Sequence, residues 1–184
     1  MNNKEKRAKG LLYDFDEEIL HELSSNRDLC FKYNNLLPSD KKAKELLIKQ
    51  ILGKTTDNFS ICQPFYCDFG YNVEIGDKFF SNYNLVILDE AKVTFGDNVF
   101  IAPNCGFYTA AHPLDVESRN KGIEFAKPIK VGNNVWIGAN TIVLPGVSIG
   151  NNTVIGAGSV VTKDIPSNVL AYGNPCKVIK NLDN

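Results

Sequence analysis

Apolar residues along this chain follow two different periods. Through about residue 55 they recur at helix-like spacing. YDFDEEILHEL (Tyr13–Leu23) and DLCFKYNNL (Asp28–Leu36) mix apolar and charged residues in this way, and PSDKKAKELLIKQILG (Pro38–Gly53) does so most clearly. In that last segment Leu47, Ile48, Ile51 and Leu52 share one face. Ser39 or Asp40 is placed to cap its start, and Gly53 to stop it. From about residue 60 a six-residue beat takes over. Val131–Pro166 divides into VGNNVW, IGANTI, VLPGVS, IGNNTV, IGAGSV and VTKDIP. Position one is Val or Ile in every unit, position two is Gly in four, and position five is small or β-branched, with Ile165 the one larger residue. IGDKFF (Ile75–Phe80), FGDNVF (Phe95–Phe100) and IAPNCG (Ile101–Gly106) fit the same template, with a two-residue slip around Val93–Thr94.

Six residues are too few for a helical hairpin or a propeller blade. They suit a short strand and a turn, repeated as a solenoid. The leading aliphatic residue then points inward and stacks on its counterpart one coil later. The Gly, Asn and Asp that follow turn the corner because they tolerate φ > 0. An ordinary β-sandwich would not hold strands to a fixed six. The chain thus divides into a helical extension, residues 1–57, and a β-solenoid, residues 58–184.

The beat fails between Gly106 and Pro128, giving a loop over 107–128. Extra residues in a solenoid must leave the wall, and such loops tend to carry function. This one holds His112, one of two histidines, in FYTAAHPLD. Cys105 falls at a fifth position, which makes it a core residue rather than a nucleophile. IGAGS contains a G-x-G but lacks the third glycine and the strand–helix context of a dinucleotide site.

Composition narrows the function classes. With 43% hydrophobic and 22% charged residues the 184-residue chain reads as a soluble domain, and a net charge of −1 argues against nucleic acid as partner. MNNKEKRAKG has no apolar run of signal-peptide type, and no stretch reaches membrane-spanning length. Together with five scattered cysteines (Cys30, Cys62, Cys67, Cys105 and Cys176), this predicts reduced thiols and a cytoplasmic location.

VGNNVWIGAN, PGVSIGNNTVIGAGSVVTKDIP and YGNPCKVIK resemble the hexapeptide-repeat acyltransferases. FYCDFGYN, YTAAHPLDVESRN and the helical N-terminus narrow the resemblance to the maltose/galactoside O-acetyltransferase branch. It implies a left-handed parallel β-helix of triangular section, and a homotrimer with acetyl-CoA and three active sites between subunits. It implies that His112 is the general base for transfer of acetyl from acetyl-CoA to a sugar hydroxyl, without a metal. An imidazole suits that task because its unperturbed titration lies near neutrality. An amide in the turn Gly138–Ala139 is the candidate oxyanion donor.

For the acceptor, the resemblance points to Asp68, Asn82 and Glu90. An acid from the N-terminal helices joins them, from Asp14, Asp16 or Glu17, with Asp16 carried forward. For coenzyme A it points to Ala139, Ala157, Thr162, Lys163, Lys177 and Lys180. Trp136 reads as packing or a wall of that groove. The galactoside branch has arginines at the positions of Lys177 and Lys180, a shorter acid at Glu90 and a tyrosine at Phe80. Lysine lacks the bidentate fork. A second reading keeps the mechanism and makes the acceptor an antibiotic or another small alcohol. A zinc anhydrase on the same solenoid needs three histidines and this chain has two. A non-catalytic β-helix would not bind coenzyme A.

Overall fold

The computed structural model describes residues 1–182; the last two residues of the expected solenoid segment, 183 and 184, lie outside the described part. The six-residue beat folds into short parallel strands on three faces of a coil. The first face carries Phe59–Ile61, Phe79–Ser81, Phe100–Ile101, Trp136–Ile137, Val154–Ile155 and Val169–Gly173. Cys176–Asn181 then turns back antiparallel on the last of these. The second face stacks Phe65–Cys67, Leu85–Leu88, Gly106–Tyr108, Ile142–Val143 and Val160–Val161. The third stacks Val73–Glu74, Val93–Phe95, Ile129–Val131 and Ser148–Ile149. In the regular coils partners lie eighteen residues apart, as in Trp136 beside Val154 and Ile142 beside Val160, which is three hexads per turn.

Positions one and five both point inward. Val131, Ile137, Val143, Ile149, Ile155 and Val161 are buried, as are Val135, Thr141, Val147, Thr153, Ser159 and Ile165. The corners are turned at position four, where Asn134, Asn140, Gly146, Asn152 and Gly158 all have positive φ. The position-two glycines have a different cause. A Cβ on Gly96 would lie 2.8 Å from the carbonyl carbon of Gly132 in the next coil, and one on Gly138 2.5 Å from the amide nitrogen of Ala157. They are small because the coils touch there, not because the backbone is left-handed.

The helical segment differs from the sequence reading. Helix α1 spans Asn3–Ala8, and helix α2 runs unbroken over Glu17–Asn34, joining two segments that read as separate. Helix α3 covers Lys41–Ile51 with Asp40 as its cap. The poor helix formers Ser24–Asn26 do not break α2, because Asn26 is buried and its amide donates to Cys67 O at 3.1 Å and Asp68 O at 3.2 Å. Helices α2 and α3 close the open end of the solenoid. Cys30, Tyr33, Ile48 and Ile51 join the same apolar cluster as the coils. Among the described residues no helix is long and apolar enough to cross a membrane.

Candidate active site

One corner of the triangle is built differently from the others. Between the second and third faces the inward residues Cys67 and Val73 are six apart, as are Ile87 and Val93, where Val143 and Val147 are four apart. Partners in these first coils are accordingly twenty residues apart, as in Val73 beside Val93. The slip noted near Val93 is therefore one of two such insertions at one corner. The third coil extends the same corner into an arm, leaving the wall after Tyr108 and returning at Ile129. Phe107 still belongs to the wall and is fully buried. The arm is a small hairpin, Ala110–Ala111 paired antiparallel with Phe125–Ala126, with helix α4 (Val116–Asn120) at its tip, capped by Asp115. The acids Asp68, Asp89 and Glu90 occupy the two insertions, and His112 stands on the arm at the same corner, against Glu124, which lies within electrostatic reach of Asp68 and Glu90.

His112 is held through Nδ1, which lies 2.9 Å from the carbonyl oxygen of Ile123. A carbonyl only accepts, so Nδ1 carries the proton and Nε2 is the basic nitrogen. Nε2 lies 3.5 Å from Glu124 Oε1, in a side chain 16% exposed. The Tyr13 hydroxyl donates to the other oxygen of Glu124 at 2.9 Å. Tyr13 and Glu124 also exchange backbone hydrogen bonds of 2.9 and 3.0 Å, which ties the segment before α2 to the arm. Burial raises the Glu124 pKa; Tyr13 and His112 oppose the shift.

Two acids at this corner, Glu90 and Asp89, are held toward their neutral forms. Burial, then the charge of Asp68 and a hydrogen bond with it, pushes Glu90 up to about 9, so that it is neutral at pH 7. Its Oε2 is buried without a partner among the described residues. Asp89 is wholly buried. Its Oδ1 accepts from Phe69 N at 2.9 Å, its Oδ2 has no partner among the described residues, and burial raises it to about 6. Asp68 is less enclosed and faces Arg27 at 3.7 Å.

The remaining expected residues divide among other places. Asp16 caps α2, accepting from Ile19 N at 3.1 Å and from the Asn3 amide at 3.2 Å. Asn82 lies at the corner between the first and second faces, where its Oδ1 accepts from Tyr83 N at 2.8 Å. Ala139 and Ala157 lie at that same corner in later coils, between the strands of the two faces. The Gly138 amide is committed to Ile155 O at 2.8 Å, which leaves the Ala139 amide as the donor of that turn. Thr162 and Lys163 are exposed on the histidine side of the triangle, beyond the second face. Lys177 and Lys180 are exposed on the antiparallel strand beside Tyr172 and Leu170. Cys105 is buried and donates to Gly138 O at 3.3 Å, a core residue as expected. Tyr13, Asp89 and Glu124 carry no recognisable signal in the sequence, because each acquires its role by contact across long separations.

A three-faced parallel coil with a histidine arm at one corner defines a hexapeptide-repeat transferase. Residues 128–163 match the family model for the bacterial transferase hexapeptide (six repeats), and residues 6–56 match the maltose acetyltransferase hexapeptide capping motif. The chain is 54% identical over 175 residues to a Saccharomyces cerevisiae protein that bears an acetyltransferase name, covering 94% of this chain and 89% of that one. It superposes on a maltose O-acetyltransferase from Clostridium difficile 630 with a TM-score of 0.98 at 45% identity, over 100% of this chain and 99% of the other. A galactoside acetyltransferase in complex with coenzyme A follows at 0.93 and 40%, over 100% and 92%. The chain belongs to the hexapeptide-repeat acetyltransferases of the maltose/galactoside O-acetyltransferase type.

Proposed function

We propose that this enzyme moves an acetyl group from acetyl-CoA to a hydroxyl of a sugar, with His112 as general base, in a homotrimer whose sites lie between subunits. The observation that carries the reading is the state of His112: Nδ1 is fixed by Ile123 O, and Nε2 is turned toward an acid-lined corner. Nε2 takes the proton of the acceptor hydroxyl as its oxygen bonds to the thioester carbonyl carbon. The Ala139 amide receives the developing oxyanion. The C–S bond then breaks and the imidazolium returns its proton to the thiolate. Asp68 accepts from a sugar hydroxyl, and neutral Glu90 can donate to one.

The separation of the corners supports a shared site. Within one chain His112, Asp68 and Glu90 occupy one corner while Asn82, Ala139 and Ala157 occupy another. A second chain would bring its alanine corner to the histidine corner of the first. The outer surfaces agree. Phe80, Phe100, Trp136 and Val154 run up the first face, with Phe100 50% and Trp136 57% exposed. Tyr66, Val86, Ile142 and Val160 line the second. The third presents Glu74, Thr94, Lys130 and Ser148. Two apolar faces and one polar face suit a subunit that meets two neighbours and turns the third side to water. The galactoside acetyltransferase structure contains coenzyme A. Here Ala139 and Ala157 leave room for the pantetheine arm, and Lys163, Lys177 and Lys180 are exposed cations for its phosphates.

The test is turnover, followed as free thiol, with acetyl-CoA and a panel of maltose, glucose, galactosides, serine and chloramphenicol. A sugar should be the best acceptor, and His112→Ala should lower turnover on it by about 10²-fold or more while coenzyme A still binds. Wild-type turnover in that variant, or preference for chloramphenicol over every sugar, would overturn the reading.

A further inference from the structure

Both imidazole nitrogens of His112 are addressed by consecutive residues just ahead of the returning strand of the arm. Ile123 O holds Nδ1 at 2.9 Å, and the Glu124 carboxylate stands 3.5 Å from Nε2. That second distance is too long for a good hydrogen bond and leaves Nε2 open to a hydroxyl. Glu124 is not free to turn away. Its other oxygen accepts from Tyr13, and its backbone pairs with Tyr13 in both directions. It is mostly shielded from water, at 16% exposure. A carboxylate on the Nδ1 side would orient the ring; here the carbonyl does that. A carboxylate on the Nε2 side instead faces the atom that becomes cationic during the reaction.

We propose that Glu124 is the charge partner of the His112 imidazolium, held in place by Tyr13, and that it stabilises the ion pair formed when the acceptor proton reaches Nε2. The inference rests on His112 being the base. The acceptor O–H bond breaks, its proton goes to Nε2, and its oxygen bonds to the acetyl carbon. The positive charge so created lies beside a carboxylate already desolvated, where attraction is stronger than in water. The ion pair dissolves when the proton leaves for the coenzyme A thiolate. The groups facing Glu124 are His112, Tyr13, Asp68 and Glu90. Of these only the imidazolium supplies a cation, so the gain is specific to the charged intermediate.

Four variants test this with acetyl-CoA and the best sugar acceptor. Glu124→Gln keeps the length of the side chain and an oxygen for the Tyr13 hydroxyl, but loses the charge. Its kcat should fall about tenfold or more, with coenzyme A affinity unchanged and the thermal midpoint no lower than that of the wild type. Glu124→Asp keeps the charge and should retain more turnover than Gln. Tyr13→Phe removes the tether but leaves the charge, and should cost less than Gln. If Glu124 served only to fasten the arm, Tyr13→Phe would cost at least as much as Glu124→Gln, and Asp would be no better than Gln. Either result, or wild-type kcat in Glu124→Gln, overturns the proposal. His112→Ala separates the two levels. If it is inactive and Glu124→Gln is normal, only the role of Glu124 falls; if it is active, the base assignment falls as well.

Discussion

The side chain of Asn34 pairs with both backbone groups of Phe65, accepting from its N–H at 2.8 Å and donating to its carbonyl at 2.9 Å. Phe65–Cys67 is the outermost strand of the second face, so one asparagine at the end of α2 replaces the strand that a further coil would have supplied. Asn26 extends the substitute to Cys67 O, and Tyr33 donates to Ile61 O at 2.6 Å. The helices therefore close the edge with side-chain amides and a hydroxyl, which removes a template for pairing with other chains.

Asn34→Ala should cost about 1–3 kcal/mol, because it leaves the Phe65 N–H and carbonyl without their partner. Asn34→Asp keeps the acceptor, loses the donor and should fall between the two. Urea denaturation of the three proteins checks the order, and an unchanged midpoint for Ala would remove Asn34 from the closure.

Asp89 makes stability depend on pH in a defined direction. Its pKa is raised from 3.8 to about 6 by burial, with Phe69 N–H as partial compensation. Between those values the folded chain holds a proton that the unfolded chain has released. The contribution is therefore fully present below about pH 4 and is lost as pH rises through about 6. A shift of this size is worth about 3 kcal/mol at most. Asp89→Asn, which cannot ionise, should gain on the wild type by that order between pH 4 and 7, with the difference flat above. Parallel thermal melts across this range measure it; a constant difference would mean that Asp89 ionises as freely folded as unfolded.

The outer apolar columns predict the assembly. Trp136→Glu or Phe100→Glu places a charge in the middle of the exposed strip on the first face. Either should convert the proposed trimer to monomer in sedimentation and lower turnover at least tenfold, since the two corners of the proposed shared site would no longer meet. Lys130→Glu, on the polar third face, should change neither. Trimers that persist in both first-face variants would place the interface elsewhere.

What the sequence disclosed follows from what is local. Positions one and five of each hexad had to be inward because a strand alternates and a short coil repeats, and all twelve such residues in Val131–Pro166 are buried. The failure of the beat located the arm, and with it His112. What stayed hidden depends on contacts between distant residues. Position-two glycines looked like turn formers, yet their smallness answers the neighbouring coil. Tyr13–Leu23 and Asp28–Leu36 read as two segments, yet one helix runs through both, and the buried Asn26 amide between them finds its partners 41 and 42 residues away. Glu124 lies twelve residues past the histidine with no periodic cue, and only the antiparallel return of the arm brings it to Nε2.

The antiparallel strand Cys176–Asn181 is the element most exposed to a test through the cofactor. It pairs with Val169–Gly173 so that Lys177 stands beside Tyr172 and Lys180 beside Leu170, both lysines exposed at the first face. Neither has an ion-pair partner among the described residues, so both ammonium groups are available to phosphate. A lysine contributes a point charge rather than a paired fork, and near the surface each is worth about 1 kcal/mol or less to a bound phosphate. Lys177→Ala and Lys180→Ala should each weaken coenzyme A binding severalfold by calorimetry, with the loss shrinking as salt is raised, and acceptor preference should not move. Arginine at either place should tighten binding, because it restores two parallel donors. An alanine variant that binds coenzyme A as tightly as wild type at low salt would return that lysine to the solvated surface.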